Sequence, residues 1–181
     1  MQWKSSPVAY GAVAIALHWA SAALFVMLLV SGFRAAGTID PQAKLMLLRV
    51  HAAAGSTALA LTLARLAWWR FADRPPAAPQ GQAAAQARAA RLVHRLFYVV
   101  ILVLAGTGIG MVVLSGAAPI LLGQVLAPLP AFDALPPRAL HGVAVWALLG
   151  LIAAHVGAAF YHQFVLGDRL LARIGIGRAA A

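Results

Sequence analysis

The chain has 181 residues, of which 63% are hydrophobic and 10% charged, with a formal net charge of +10. Soluble domains carry about 25% charged residues, so this composition excludes an ordinary water-soluble globule and suits four membrane-spanning helices with their connections. There is no cysteine, and the only acids are Asp40, Asp73, Asp133 and Asp168, which excludes disulfides, Fe–S clusters, thiolate zinc, covalently attached haem and any chemistry built on spaced carboxylates.

Four apolar stretches are predicted as transmembrane helices, at about residues 11–33, 45–69, 92–115 and 140–166. Each holds the roughly 20 residues needed to cross a hydrocarbon core of about 30 Å. In lipid only helices or closed barrels satisfy the backbone, and the period-two alternation of a barrel is missing. The first stretch is too long for the apolar region of a signal peptide and contains His18-Trp19, so it is expected as a retained helix. Residues 34–44 read as a short loop, with Gly37 and Asp40-Pro41 as turn signals. Residues 70–91 read as a solvated linker ending in a short basic helix. Residues 116–139 hold five prolines around an apolar piece, 120–126, expected against the membrane surface. No internal repeat is evident.

Charge sets the orientation. Lys4, Arg65, Arg70, Arg74, Arg88, Arg91, Arg95, Arg169, Arg173 and Arg178 fall at the termini and the middle loop, whereas the other two loops hold only Arg34, Lys44, Arg49 and Arg138. The positive-inside rule then places both termini in the cytoplasm. The basic excess is a topology signal, and no nucleic-acid partner is expected. The fold class is an all-α integral membrane protein, residues 1–181 forming a single four-transmembrane-helix bundle in the lipid bilayer.

Six histidines remain: His18, His51, His94, His141, His155 and His162. Ionisable groups inside a membrane are costly and count as functional candidates, although a lone histidine near a helix end is more often an interfacial hydrogen-bonder. Pairing by depth changes that balance. Fourteen residues separate His141 from His155, which returns to nearly the same helix face about 21 Å along the axis. One helix thus offers two histidines at two depths, with His51 facing the outer one and His18 the inner one. Two stacked bis-histidine pairs suggest two non-covalent haems b, with His18, His51, His141 and His155 as axial iron ligands. Small residues beside them, such as Ala52, Ala53, Gly55, Gly142 and Gly157, leave room for a flat macrocycle or simply let helices approach. His162 lies at a depth suited to a haem propionate or quinone, and Tyr161 beside it is grouped with it. His94, between Arg91 and Arg95, is expected as an interfacial residue without chemistry.

Tyr10 with His18-Trp19, His51-x-x-x-Gly55 followed by Arg65-Leu66, His94-x-x-x-Tyr98, His141, His155, Tyr161-His162 and Gly167-Asp168-x-Leu170-Leu171 stand in an order that resembles the bacterial four-helix cytochromes b561. The resemblance covers nearly the whole chain. It implies two haems b held by the first, second and fourth helices, quinone as electron acceptor, and the bacterial inner (cytoplasmic) membrane as location. Since the family's characterised member is a superoxide:ubiquinone oxidoreductase, it also implies a superoxide oxidase, with ubiquinone taking the electrons. The alternative is a di-haem electron-transfer subunit for a redox protein partner, without a substrate site of its own. Arg49, two residues before His51, and Arg138, three before His141, are candidates for steering an anionic donor toward the outer haem, or for neutralising haem propionates.

Overall fold

The computed structural model describes residues 2–78 and 82–177, so Arg178 lies outside it, and the described residues contain helices and no strand. Helices α1 (Ala12–Gly37), α2 (Pro41–Ala67), α3 (Ala84–Ser115) and α5 (Pro136–Phe160) form the bundle, and α4 (Ala118–Leu121) is a single turn. α2 and α5 each run on into a π-helical turn, Trp68–Ala72 and Tyr161–Leu166, and a 3-10 helix follows at Leu170–Ile174. With these continuations counted, the shortest of the four spans has 26 residues. At a rise of about 1.5 Å per residue it exceeds the hydrocarbon thickness. All four are long and apolar enough to cross a membrane.

The helices are longer than the sequence suggests, for local reasons. α1 continues through Arg34 to Gly37, because a cation in the last turn meets the negative end of the helix dipole while its stem lies along apolar surface. Only 38–40 then connect α1 to α2. Asp40 accepts a hydrogen bond from the Gln42 N–H (3.0 Å) and Pro41 takes the first helical position, a pre-organised helix start. The expected short basic helix before residue 92 is no separate element, since α3 begins at Ala84 and carries Arg88 and Arg91 on one continuous helix. Its alanine-rich start has high helix propensity. α3 ends at Gly116, whose φ of 69° is left-handed, with the Ala117 N–H donating to the Val112 carbonyl, a glycine helix stop. Of the apolar piece 120–126 only the first two residues are helical.

α1 packs chiefly against α2 and α3 against α5, with a lighter contact between α2 and α3. The buried core is made largely of small residues, among them Ala14, Ala35, Ala54, Ala58 and Ala144, with Ile101 and Leu148 as the larger members. Small side chains let helices approach where lipid gives no hydrophobic drive for association. The buried hydroxyls of Ser21, Ser31, Thr62 and Thr107 each donate to the carbonyl four residues back, at 2.7 Å, so none is left unsatisfied. Val26, Val113, Val143 and Phe164 remain exposed on the outside, as helices facing acyl chains require.

On the face carrying both termini, extended segments are tied together through polar groups. The Asp73 carboxylate accepts from the Ser5 N–H (2.9 Å), the Ser5 hydroxyl (2.8 Å) and the Trp68 indole (3.3 Å). Arg173 donates to the carbonyls of Val8 (2.9 Å) and Ala77 (2.6 Å), and the Tyr10 N–H donates to the Arg173 carbonyl. Gly11 is required where the N-terminal strap turns into α1, because a Cβ there would collide with the Lys4 and Trp3 main chain. Desolvation pushes the Asp73 carboxyl up, but the hydrogen bonds from Ser5, Arg74 and Trp68 outweigh it and hold it below the usual carboxylate range. A depressed folded pKa means that this docking is complete at neutral pH and is lost as the pH falls through the lowered value. Asp73→Ala is therefore expected to speed hydrogen exchange at the Ser5 amide at neutral pH. Acid alone should do the same to the unmodified protein while leaving the amides of the four long helices protected.

Candidate functional site

Histidines link the two helix pairs. His18 of α1 faces His155 of α5 with ring centroids 6.3 Å apart, and His51 of α2 faces His141 of α5, also at 6.3 Å. The first pair lies toward the termini face and the second toward the opposite, loop face. A metal–imidazole bond of about 2.0 Å, plus about 1.1 Å from ring nitrogen to ring centre, puts two axial ligands' centroids about 6.2 Å apart. Both pairs have that spacing.

The tautomers of the loop-side pair follow from their partners. His51 Nδ1 lies 3.1 Å from the Leu28 carbonyl and 3.2 Å from the Ser31 hydroxyl oxygen. A carbonyl only accepts, and the Ser31 hydroxyl already donates to Met27, so Nδ1 carries the proton and the Nε2 lone pair is free. His141 repeats the arrangement. Its Nδ1 lies 2.9 Å from Thr107 Oγ1, and the Thr107 hydroxyl donates to Val103, so this Nδ1 too carries the proton. Metal-binding imidazoles are oriented in this way, the far N–H held by an oxygen acceptor. Gly32 makes the close approach of His51 possible, because a methyl there would lie 3.0 Å from His51 Cε1, whereas one at the equivalent Gly108 would meet His141 Cε1 at an ordinary 3.7 Å.

These supporting residues expose an internal repeat that sequence reading misses. One register shift carries His18, Leu28, Ser31 and Gly32 of α1 onto His94, Leu104, Thr107 and Gly108 of α3. Another carries His51, Ala54, Ala58 and Arg65 of α2 onto His141, Ala144, Leu148 and His155 of α5. The signal in the sequence is His-x9-Leu-x-x-Ser/Thr-Gly, present twice. Because the positions between these motif residues all differ and Ser, Thr and Gly are common in membrane helices, the pattern stands out only once His51 and His141 are seen in equivalent contacts.

The termini-side site is less regular. His155 also has His94 at 5.5 Å and the edge of Phe97 at 5.6 Å, so His94 joins this cluster where the sequence suggests only an interfacial residue. Its separation from His155 is shorter than an axial pair needs. Arg65 is the charged neighbour common to His18, His94 and His155. His162 is buried, its Nδ1 bonded to the Asp168 carboxylate, with the half-exposed Tyr161 perpendicular to it at 6.1 Å. On the loop face the Arg138 guanidinium lies over Gly142, next to His141, and forms an ion pair with Asp133 at 3.8 Å. Arg49 donates to the Ile120 carbonyl (2.8 Å) and so ties α4 to α2.

The donor set fits haem b. Two imidazole pairs have axial spacing, the loop-side pair presents free Nε2 lone pairs, and the Nε atoms of Arg49 and Arg65 are buried without a hydrogen-bond partner among the described residues, as suits cations that meet propionates. Gly32→Ala is expected to displace the His51 ring and lower the haem b content of the purified protein. Gly106→Ala, where a methyl meets nothing within 4 Å, should leave it unchanged; quantitative haem extraction from the two variants checks this.

A family model for prokaryotic cytochrome b561 matches residues 9–177. Cytochrome b561 homolog 1 of Escherichia coli (strain K12) is 30% identical over 166 residues, covering 88% of this chain and 93% of that protein. The chain belongs to the prokaryotic cytochrome b561 family, multi-pass membrane proteins of electron transfer that bind haem b.

Proposed function

We propose that this protein carries electrons across the bacterial inner membrane from superoxide on the outer side to ubiquinone, with the termini face in the cytoplasm. Bound haem b supplies a one-electron carrier at each histidine pair. His51 and His141 hold the outer haem and His18 and His155 the inner one. Per turnover, two superoxide anions become two dioxygen molecules, and one quinone takes up two electrons and two protons. His162 and Tyr161, on the termini side, are assigned to the quinone or to an inner propionate.

The observation that carries superoxide as donor is the placement of Arg138. Its guanidinium sits beside an outer ligand, is 40% exposed, and is only loosely engaged by Asp133. With Arg34, Lys44 and Arg49 it gives the outer helix ends four cations against Asp40 and Asp133. Cations at a low-dielectric wall focus the field and speed capture of a small anion. One observation favours a protein donor instead: Ile39 and Leu126, both on the outer loops, are each 98% exposed, which offers apolar anchors to a partner.

Stopped-flow mixing of the oxidised protein with superoxide separates the two readings. The expected result is rapid haem reduction whose rate falls with ionic strength, as the Debye length shrinks from about 30 Å at 0.01 M to about 10 Å at 0.1 M salt. Arg138→Gln should lower that rate and flatten its salt dependence without loss of haem. A protein that superoxide does not reduce at all is an electron-transfer subunit for a partner.

Ligation is tested by substitution. His51→Ala or His141→Ala should remove the outer haem and His18→Ala or His155→Ala the inner one, each halving the haem content. His94→Ala should retain both. Loss of a haem from His94→Ala, with both retained in His18→Ala, would reassign the inner pair.

A further inference from the structure

The repeat relating the two helix pairs is broken at one chemically decisive position. The shift that carries His51 onto His141 also carries Arg65 onto His155. On the termini side the repeat therefore brings together four equivalent positions, of which three are histidine and one, Arg65, is not. The equivalent of the His18–His155 pair is His94 with Arg65. A guanidinium has donors only and no lone pair for a metal, so this second pair cannot ligate and the termini side holds one haem instead of two.

Arg65 is also a cation without an anion. The chain has four acids and no glutamate, and all four are engaged elsewhere. Asp40 caps α2, Asp73 holds Ser5 and Trp68, Asp133 meets Arg138 and Asp168 meets His162. The Nε of Arg65 is buried with no hydrogen-bond partner among the described residues. A guanidinium that is half-buried with an unpaired Nε is costly to leave uncompensated, which calls for an anionic group from outside the polypeptide. Arg65 stands fourteen residues after His51, as His155 stands after His141, so that group lies at the depth of the termini-side rings.

We propose that Arg65 is a positioning residue that binds a propionate of the haem held by His18 and His155, and thereby raises the reduction potential of that haem. This rests on the ligation proposed above. A buried fixed cation near the iron favours the reduced state, which carries one positive charge less, and salt screens it little. Removing it leaves the propionate charge uncompensated, so the inner haem becomes harder to reduce while the outer one, about 21 Å away along the helix axis, is unaffected.

The test is potentiometric titration of the purified protein in a phospholipid-free detergent, following the haem signal that His18→Ala removes. Two haems in the unmodified protein, one of them lost in His18→Ala, establish the ligation reading independently of the Arg65 variants. Arg65→Gln is expected to make the inner haem at least tenfold harder to reduce, about 59 mV for a one-electron couple, with the outer midpoint unchanged. Arg65→Lys, which keeps the charge, should stay near the wild-type value. If Arg65→Gln loses the inner haem, Arg65→Lys decides: retention at the wild-type potential supports the anchor, and loss overturns it. Unchanged midpoints in Arg65→Gln, or an equal drop in Arg65→Lys, would also overturn it. So would an effect that appears only when phospholipid is added, since the anion would then be a lipid phosphate.

Discussion

An imidazole in the hydrocarbon interior has two nitrogens to satisfy and no water to do it. This constraint organises the bundle. At the loop-side pair one nitrogen of each ring is satisfied from the neighbouring helix, by the Leu28 carbonyl for His51 and by the Thr107 hydroxyl oxygen for His141. The Leu28 carbonyl lies within α1 and is shared with the helix, which an oxygen with two lone pairs permits. The second nitrogen is then directed across the gap between the helix pairs at a spacing suited to a shared metal. The demand for a close carbonyl explains Gly32, which lets the His51 ring reach α1. It also fits the pairing of α1 with α2 and of α3 with α5, because each pair joins a helix carrying a loop-side histidine and the helix that orients its ring.

The spans and the two histidine pairs are legible in the sequence because both rest on simple geometry. Apolar length against bilayer thickness finds the helices, and the spacing of His141 and His155 puts two histidines on one face at two depths. Helix ends are less legible. α1 extends past Arg34 and α3 begins ahead of Arg88, and in both cases a long cationic side chain reaches the interface from a helix that continues beneath it. Reading each arginine as loop therefore shortens the helices. The surroundings of His94 are likewise hidden: flanking arginines suggest water, yet its ring lies 5.5 Å from that of His155. The residues that hold the ligands, Ser31, Thr107, Gly32 and Gly108, carry no signal individually. They become visible as a repeat only through the equivalent hydrogen bonds of His51 and His141.

The repeat gives the two sites different characters. The His51–His141 pair joins equivalent positions of the two halves, so its surroundings are matched, with a hydroxyl and a glycine on each side. The His18–His155 pair joins non-equivalent positions, and the equivalents of its members are His94 and Arg65. A two-fold arrangement with a ligand at all four termini-side positions would offer two competing axial pairs built around rings only 5.5 to 6.3 Å apart. Substituting one position with a residue that cannot ligate resolves the competition. That the residue is arginine, and not an apolar side chain, sets a fixed charge among the termini-side positions, as Arg138 does beside His141. In the proposed reading Arg65 raises the electron affinity of the inner site, and electrons entering beside Arg138 pass toward the termini face, where a quinone taking up protons from the cytoplasm would receive them.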